Sequence, residues 1–347
     1  MTAFKETRLY IIVSSFFPGV ALSFLVAILA WFLGEQLPQI GGAVFAIVFG
    51  MMISLIPHKP YFEKGLSFSG KKILQYAIIL LGFEMNMHSI LIVGYSSLWI
   101  MLFTLSAALI STIIISKLLR IPVNKAILIG VGTTICGGSA IAATAPVIRA
   151  EEEDVSQAIS TIFLFNIIAI FLFPALGHLF CLSDKGFAMW VGTAVNDTSS
   201  VVATASAWSQ SAHNNTALAY AVIVKLTRTL LIVPITLFFA FYMAWKAKRD
   251  NSANKGNYSF VRIFPWFVLG FLLAALVETF LPIPEAISSA LVEAGKFLIV
   301  MAMAAIGMKT NVRKLLTQSL RPLLLGLGVW FFVATVSLLV QMISGQF

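Results

Sequence analysis

Residues that could bind or transfer charge are concentrated in two related stretches near the middle of the chain. The first, 132–145, reads GTTICGGSAIAATA, and the second, 192–205, reads GTAVNDTSSVVATA. Both are apolar overall, yet their centres contain glycines, hydroxyl side chains and, in the second, the pair Asn196 and Asp197. Such a segment cannot satisfy its backbone hydrogen bonds as one smooth helix, and a bilayer tolerates that only inside protein or beside a polar cavity. Paired interrupted apolar segments point to the solute site of a transporter.

The two stretches align without a gap, which indicates an internal duplication. A second pair, GFEMN at 82–86 and GMKTN at 307–311, ends two other apolar runs that the charge pattern orients in opposite directions. Related segments of opposite orientation are typical of inverted-repeat transporters. The aligned identities are Gly132/Gly192, Thr133/Thr193, Ser139/Ser199, Ala143/Ala203, Thr144/Thr204 and Ala145/Ala205.

An interrupted helix offers two kinds of polar backbone. The half that begins at the break has free N–H groups and attracts anions, whereas the half that ends there has free carbonyls that suit a cation. Glycine permits the non-helical backbone, and hydroxyl groups can donate to an oxyanion. The alternative is that these small residues only let helices pack closely. The predicted solute-binding residues of the two stretches are Thr134, Cys136, Gly137, Gly138, Ser139, Thr198, Ser199 and Ser200.

Three charged residues, Asp197, Lys225 and Arg228, are predicted to lie deep inside the membrane. Lys225 and Arg228 are three apart and therefore share a helix face. If their helix starts near Thr216, they lie about 13 and 18 Å along it, close to the middle of a hydrocarbon core roughly 30 Å thick. Charges at that depth are functional by default. Two cations and the single carboxylate of Asp197 leave a positive surplus, which favours an anionic solute. The alternative is a structural ion pair between Asp197 and one of the cations.

The composition places the chain in a lipid bilayer. It has 347 residues, of which 59% are hydrophobic and 11% charged, against roughly 25% charged in soluble domains. We predict an all-α polytopic protein with about ten or eleven spans, forming one transporter domain over 1–347. Its discontinuous, broken or re-entrant, helices are expected at 126–148 and 187–208. The predicted apolar segments are 10–33, 40–56, 72–92, 95–118, 126–148, 156–180, 187–208, 216–245, 262–281, 288–308 and 321–344.

The distribution of Lys and Arg predicts the orientation. The formal charge of +9 comes mostly from short connections and from the longer polar loop 246–262, whereas connections near 34–40, 86–96, 208–216 and 281–287 contain no Lys or Arg. This is the positive-inside pattern of a multi-pass protein of the bacterial cytoplasmic membrane, with a cytoplasmic N-terminus and an external C-terminus. It also removes any reason to expect a nucleic-acid partner. A homodimer is left open.

Other function classes find little support. Cys136 could act as an intramembrane nucleophile only beside a base, and no His lies in an apolar segment near it. We therefore expect no enzyme activity, no catalytic residue, no bound metal and no cofactor beyond a coupling Na⁺ or H⁺. A passive anion channel is conceivable, but broken helices in inverted repeats favour alternating access.

Several motifs resemble those of the bacterial YeiH-type membrane proteins, a family described as candidate sulfate exporters. They are TICGGSA at 134–140, APVIRA at 145–150 and KLTR at 225–228, followed by Pro234. The resemblance implies the fold of cation/proton antiporters and anion transporters, with inverted repeats and discontinuous helices. Where that family has His before its acid and Gln after it, this chain has Asn196 and Ser200, so a titrating imidazole at that place is in doubt.

We therefore predict a secondary transporter for a small anion, such as sulfate, another oxyanion or a sulfonate. Lys225 and Arg228 would supply charge for the anion, while Asn196 and Asp197 would couple H⁺ or Na⁺. The alternative is a cation/proton antiporter with Asp197 as the carrier and both cations as structural counter-charges.

Overall fold

The structure is a computed structural model that describes residues 2–38, 40–56, 60–231, 235, 238–239, 266–311 and 319–346. The side chains of residues 2–15 and of Pro60 are not among the described parts. The predicted basic loop 246–262, most of the second half of predicted segment 216–245, and Pro234 lie outside the described residues. Within the ranges that are described, all repetitive structure is helical and no strand occurs, which confirms the all-α prediction.

Fourteen α-helices are numbered here in chain order over the described residues. Short 3₁₀ turns at Pro60–Phe62 and Gly82–Glu84 and a π-helical turn at Ser69–Ile73 flank or join some of them. The helices are α1 Thr2–Gln36, α2 Gly42–Ser54, α3 Glu63–Phe68, α4 Leu74–Leu81, α5 Met87–Leu118, α6 Val123–Thr134, α7 Gly138–Ile148, α8 Glu152–Leu179, α9 Asp184–Ala194, α10 Thr198–Ser211, α11 Thr216–Leu230, α12 Trp266–Phe280, α13 Glu285–Lys309 and α14 Leu320–Ser344.

Five described helices are long and apolar enough to cross a bilayer: α5, α8, α13, α14 and the part of α1 at Phe16–Gln36. On α5, the exposed side chains include Leu91, Tyr95, Trp99 and Leu102. A row of large exposed apolar side chains is what a lipid-facing helix requires. The polytopic membrane character is thus confirmed, whereas the count of ten or eleven spans stays a prediction, because several of the other segments form short or interrupted helices.

The chain forms two compact units, each assembled from three separate stretches. The first contains Met1–Ser89, Val202–Ala219 and Phe267–Arg313. Within it, α13 packs against α1, α2 and α4. A Cβ on Gly307 would lie 2.3 Å from the carbonyl oxygen of Ile47, so α2 and α13 touch backbone to backbone. Close approach through small residues is how helices associate in lipid.

The second unit contains Ile90–Val201, Tyr220–Trp266 and Lys314–Phe347. Here α14 packs against α6, α8 and α9. The buried Trp190 stacks on Phe173 with ring centroids 4.2 Å apart, and its Nε1 donates to the carbonyl oxygen of Ala334 at 3.0 Å. The hydroxyls of Thr193 and Ser337 are 2.6 Å apart. These contacts fix α9, whose C-terminal end carries one of the two helix breaks.

Candidate functional site

The first predicted discontinuity is a sharp break between α6 and α7. Helix α6 ends at Thr134 and α7 begins at Gly138, with Gly137 at φ 68° and ψ −128°, a backbone conformation essentially confined to glycine. A Cβ on Gly132 would lie 2.9 Å from Cδ1 of Ile141. On a continuous helix residues nine apart would be separated by about 13 Å, so α7 turns away from the axis of α6.

The second discontinuity lies at 195–197, between α9 and α10. Asp197 caps the new helix, because its Oδ2 accepts from the backbone N–H of Ser199 at 3.1 Å and from the Ser199 hydroxyl. An acidic N-cap satisfies donors that the break leaves free and complements the positive helix end. The backbone N–H of Asp197 donates to Oδ1 of Asn166 at 3.2 Å, which ties the break to α8.

The two breaks lie side by side. A Cβ on Gly137 would be 3.1 Å from Cβ of Asp197 and 3.2 Å from its Oδ1. The carboxylate that caps α10 is therefore adjacent to the start of α7, and two positive helix ends share one acidic side chain. Only glycine at position 137 permits this approach, both by its conformation and by its lack of a side chain.

Lys225, on α11, donates hydrogen bonds to the carbonyl ends of both broken segments. Its ammonium donates to the carbonyl oxygens of Ile135 at 2.9 Å, of Val195 at 3.1 Å and of Asn196. The side chain is 0% exposed, so no water replaces these partners. All three ammonium hydrogens are thereby directed at backbone carbonyls.

Arg228 does the same one helical turn further along α11. Its Nε donates to the carbonyl oxygen of Thr134 at 2.8 Å, Nη1 to that of Thr193 and Nη2 to that of Thr133. The residue is 1% exposed. A buried charge is tolerated only with good hydrogen-bond partners, and the carbonyl ends of α6 and α9 carry the negative ends of their dipoles. Arg228 and Lys225 are therefore complementary to those two helix ends.

The acceptors follow the alignment of the two stretches. Ile135 and Val195, which occupy matching positions, both accept from Lys225. Thr133 and Thr193, which also match, both accept from Arg228. The two related breaks thus present equivalent carbonyls to one pair of cations, and the prediction that Lys225 and Arg228 share a helix face is confirmed.

The alternative of an ion pair between Asp197 and either cation is wrong. Within the described residues Asp197 forms no ion pair, and the ion pairs found there are Lys125–Asp154 and Lys296–Glu293. The physical reason is that the orphaned carbonyls lie closer to α11 than the carboxylate does, while the carboxylate is engaged at the opposite, N–H side of the break. In this conformation Lys225 also has no donor left for a solute.

The predicted solute residues divide between the two sides of the breaks. On the N–H side, Ser139 is exposed, and Gly138, Asp197 and Thr198 are half-buried. Among the described atoms, none lies within 4 Å of a Cβ built on Gly138, so there is open space at the start of α7. The N–H ends are accessible, whereas the carbonyl ends are sealed by α11.

The remaining predicted residues are buried. Thr134 uses its hydroxyl inside its own helix, donating to Gly130 at 2.5 Å, and Cys136 packs in an apolar cluster with Val131 and Ala140. Ser199 and Ser200 are each 6% exposed. Whether these side chains contact a solute stays a prediction.

Two buried polar side chains of the paired stretches have atoms without a hydrogen-bond partner among the described residues: Asn196, which the sequence analysis assigned to coupling, and Thr144, for which it gave no role. Asn196 is 1% exposed, and neither side-chain atom of its amide has a hydrogen-bond partner within the described residues; the same holds for the hydroxyl of Thr144. A buried amide without partners is costly, so a hydrogen bond from Asn196 to a ligand or water would be favourable. No group of three or more His, Cys, Asp or Glu that could hold a metal ion occurs in the described ranges.

Comparison with known proteins gives consistent matches along almost the whole chain. The family model described as "Conserved hypothetical protein 698" matches residues 18–326. A "UPF0324 membrane protein" of Fusobacterium nucleatum is 50% identical over 346 residues, covering 95% of this chain and 98% of the relative. Relatives of the same description are 46% identical in Streptococcus mutans and 49% in Streptococcus agalactiae, each covering 94% of this chain and 97% of its own length. No solved structure matches significantly.

Proposed function

This chain belongs to the UPF0324 membrane protein family, and we propose that it is a secondary transporter moving a small anion across the bacterial cytoplasmic membrane by alternating access. The proposal keeps the predicted orientation, with the N-terminus cytoplasmic and the C-terminus external. It refines the roles of the charged residues, because the cations lie at the carbonyl ends of the breaks and not at their accessible side.

The observation that carries the proposal is the charge at the meeting point of the breaks. The helix ends nearly cancel, since two N-terminal ends of about +0.5 face two C-terminal ends of about −0.5. Among the described residues, the charged side chains at the breaks are Lys225, Arg228 and Asp197, which leave one positive charge in excess. A buried centre with a net positive charge is stabilised by an anion.

The accessible N–H ends of α7 and α10 are the proposed binding surface. Backbone N–H groups at a helix start bind anions without any charged side chain. The hydroxyls of Ser139 and Thr198 lie at these ends, next to the open space at Gly138. Lys225 and Arg228 contribute by cancelling the negative carbonyl ends behind the site, so that the positive N–H ends are opposed by the carboxylate of Asp197 and not by carbonyl dipoles as well.

Asp197 gives a route to coupling. Its carboxylate now accepts from the Ser199 N–H, a donor that an anion at the start of α10 would use. Protonation of Asp197 removes the negative charge from this place, so binding of a proton and binding of an anion would favour each other. This predicts co-transport of H⁺ with the anion, in which case anion affinity rises as the pH falls.

A second function is favoured by one observation. Both cations donate to carbonyls, and Asp197 is half-buried without an ion-pair partner among the described residues, so its carboxylate is able to accept a cation. This is the arrangement of a cation/proton antiporter, with Lys225 and Arg228 as structural counter-charges to helix dipoles.

Thermal unfolding of the detergent-purified protein separates the two functions, because a ligand that binds only the folded state raises the unfolding temperature. The anion panel is sulfate, sulfite, chloride and a small sulfonate, with sulfate first because of the resemblance to the YeiH-type proteins. Anion transport predicts a saturable rise with one anion that survives in Arg228→Lys and is lost in the neutral Arg228→Gln. A rise with Na⁺ or with pH alone, lost in Asp197→Asn, would contradict it and support the antiporter.

Flux measurements in proteoliposomes complete the test. Uptake of the stabilising anion should be driven by an imposed pH gradient in the unmodified protein. It should lose its dependence on that gradient in Asp197→Asn. Uptake that follows a Na⁺ gradient and ignores pH would refute the proposed role of Asp197.

A further inference from the structure

We propose that the carbonyls of Ile135, Val195 and Asn196 form a binding site for a monovalent cation, which this chain fills with its own Lys225 ammonium. The site is distinct from the accessible N–H ends at which a solute is proposed to bind. The cation site lies on the opposite, buried side of the two breaks. The proposal does not depend on which solute the protein moves.

The geometry of the three oxygens is that of an ion site. They come from unwound backbone of two different segments and converge on one nitrogen, at 2.9 Å for Ile135, 3.1 Å for Val195 and at hydrogen-bonding distance for Asn196. Two of them occupy equivalent positions of the two related stretches. Carbonyls of unwound segments coordinate the driving cation in transporters with discontinuous helices, and carbonyl oxygens alone can replace the hydration shell of K⁺.

The surroundings of the ammonium support the same conclusion. Within the described part of the chain it has no carboxylate partner, and it is 0% exposed. The groups in direct contact with its charge are therefore carbonyl dipoles, as for a bound inorganic ion. The stem of Lys225 acts as a tether that keeps the cation in place permanently.

A permanently filled site has a consequence for coupling. No dissolved cation can enter it while Lys225 is present, so binding and release of Na⁺ at the carbonyl ends cannot drive transport in this chain. Any coupling ion is confined to the other side of the breaks, where Asp197 lies. The sequence alone did not distinguish Na⁺ from H⁺ as the coupling ion. Because Lys225 occupies the carbonyl ends, Na⁺ cannot bind there.

The test is to remove the tether and supply a free cation. In Lys225→Ala the missing fragment corresponds to propylammonium, and the three carbonyls are left without donors. We expect the unfolding temperature of this variant, measured in choline chloride, to be well below that of the unmodified protein. Ammonium, and to a lesser extent Na⁺ or K⁺, at equal ionic strength and pH should raise it saturably. The unmodified protein should show no such response to ammonium.

Lys225→Met is the matched control, because its side chain fills the stem volume but carries no charge and leaves no room for an ion. A response to ammonium in Lys225→Ala that is absent from Lys225→Met supports the cation site. Equal responses in the two variants, or no response in a folded Lys225→Ala, would overturn it.

A second control uses the neighbouring cation. Arg228→Ala lacks a fragment equivalent to ethylguanidinium, and we expect that compound to stabilise it while ammonium does not. Should Lys225→Ala fail to fold even when extracted in ammonium, the idea is overturned, since a free ion that fits the carbonyls should restore it. This experiment measures stability and not flux. The cation site can therefore be refuted while the proposed anion transport stands, and anion transport can be refuted while the cation site stands.

Discussion

Replacing Gly137 by alanine tests the geometry of the two breaks most directly. At φ 68° and ψ −128° an L-residue is strained by about 1–3 kcal/mol. The new Cβ would also lie 3.1 Å from Cβ of Asp197 and 3.2 Å from its Oδ1, and overpacking of this kind costs about 1–3 kcal/mol more. We therefore expect Gly137→Ala to destabilise the folded protein by about 2–6 kcal/mol.

Gly138→Ala is the control, one residue later. Gly138 is the first residue of α7, and no described atom lies within 4 Å of its Cβ position. Alanine there should be neutral or stabilising by up to about 1 kcal/mol, because it restricts the unfolded chain more than glycine does.

The assay is thermal unfolding of both variants in the same detergent, followed by tryptophan fluorescence. At roughly 2 °C per kcal/mol for a chain of this size, Gly137→Ala should unfold about 4–12 °C lower and Gly138→Ala within about 2 °C of the unmodified protein. Equal unfolding temperatures for the two variants would refute the proximity of Gly137 and Asp197, and with it the shared site.

Substitutions at three further positions have expected outcomes. Arg228→Lys should unfold at a temperature between those of the unmodified protein and Arg228→Gln, because lysine keeps the charge and reaches some of the carbonyls. A Gln variant as stable as the Lys variant would show that charge is irrelevant at this position. Asp197→Ala should lose about 1 kcal/mol of folding stability through the missing N-cap, whereas Asp197→Asn keeps an acceptor for the Ser199 N–H and should lose less; equal losses in a denaturant titration would contradict the capping role. Gly307→Ala should cost about 1–3 kcal/mol, since its Cβ would lie 2.3 Å from the carbonyl oxygen of Ile47, and an unchanged unfolding temperature would show that α2 and α13 separate easily.

The position of the breaks could be predicted from the sequence because glycine and hydroxyl residues inside an apolar run are a local signal. The breaks at 135–137 and 195–197 lie inside the predicted segments 126–148 and 187–208. Hydropathy was a weaker guide elsewhere. The boundary between predicted segments 72–92 and 95–118 lies instead at 82–86, between the end of α4 and the start of α5. Hydropathy misplaces it because the apolar residues 90–93 fit either helix equally well by composition.

The partners of the charged residues could not be predicted. That Lys225 and Arg228 are buried and share a face follows from their spacing. Their acceptors are backbone carbonyls, and every residue has one, so no residue type distinguishes Thr133 or Thr193 as a partner. Only the three-dimensional course of the broken helices determines which carbonyls are left without an N–H and face α11. The ion pair between Asp197 and one of the cations, which the sequence left open as an alternative, was wrong for that reason.

The closure of the first break by α11 also sets an order of events during synthesis. Ile135 and Lys225 are 90 positions apart, and Thr133 and Arg228 are 95 apart. At about 5–20 residues per second, the ribosome needs roughly 5–20 s to make the intervening chain. Throughout that interval the carbonyls at 133–135 lack the donors that satisfy them in the finished protein, and lipid can offer none. We therefore expect the first broken segment to stay in contact with water or with the insertion machinery until α11 is made. Both broken segments then become buried in one late step, when Lys225 and Arg228 donate to their carbonyls.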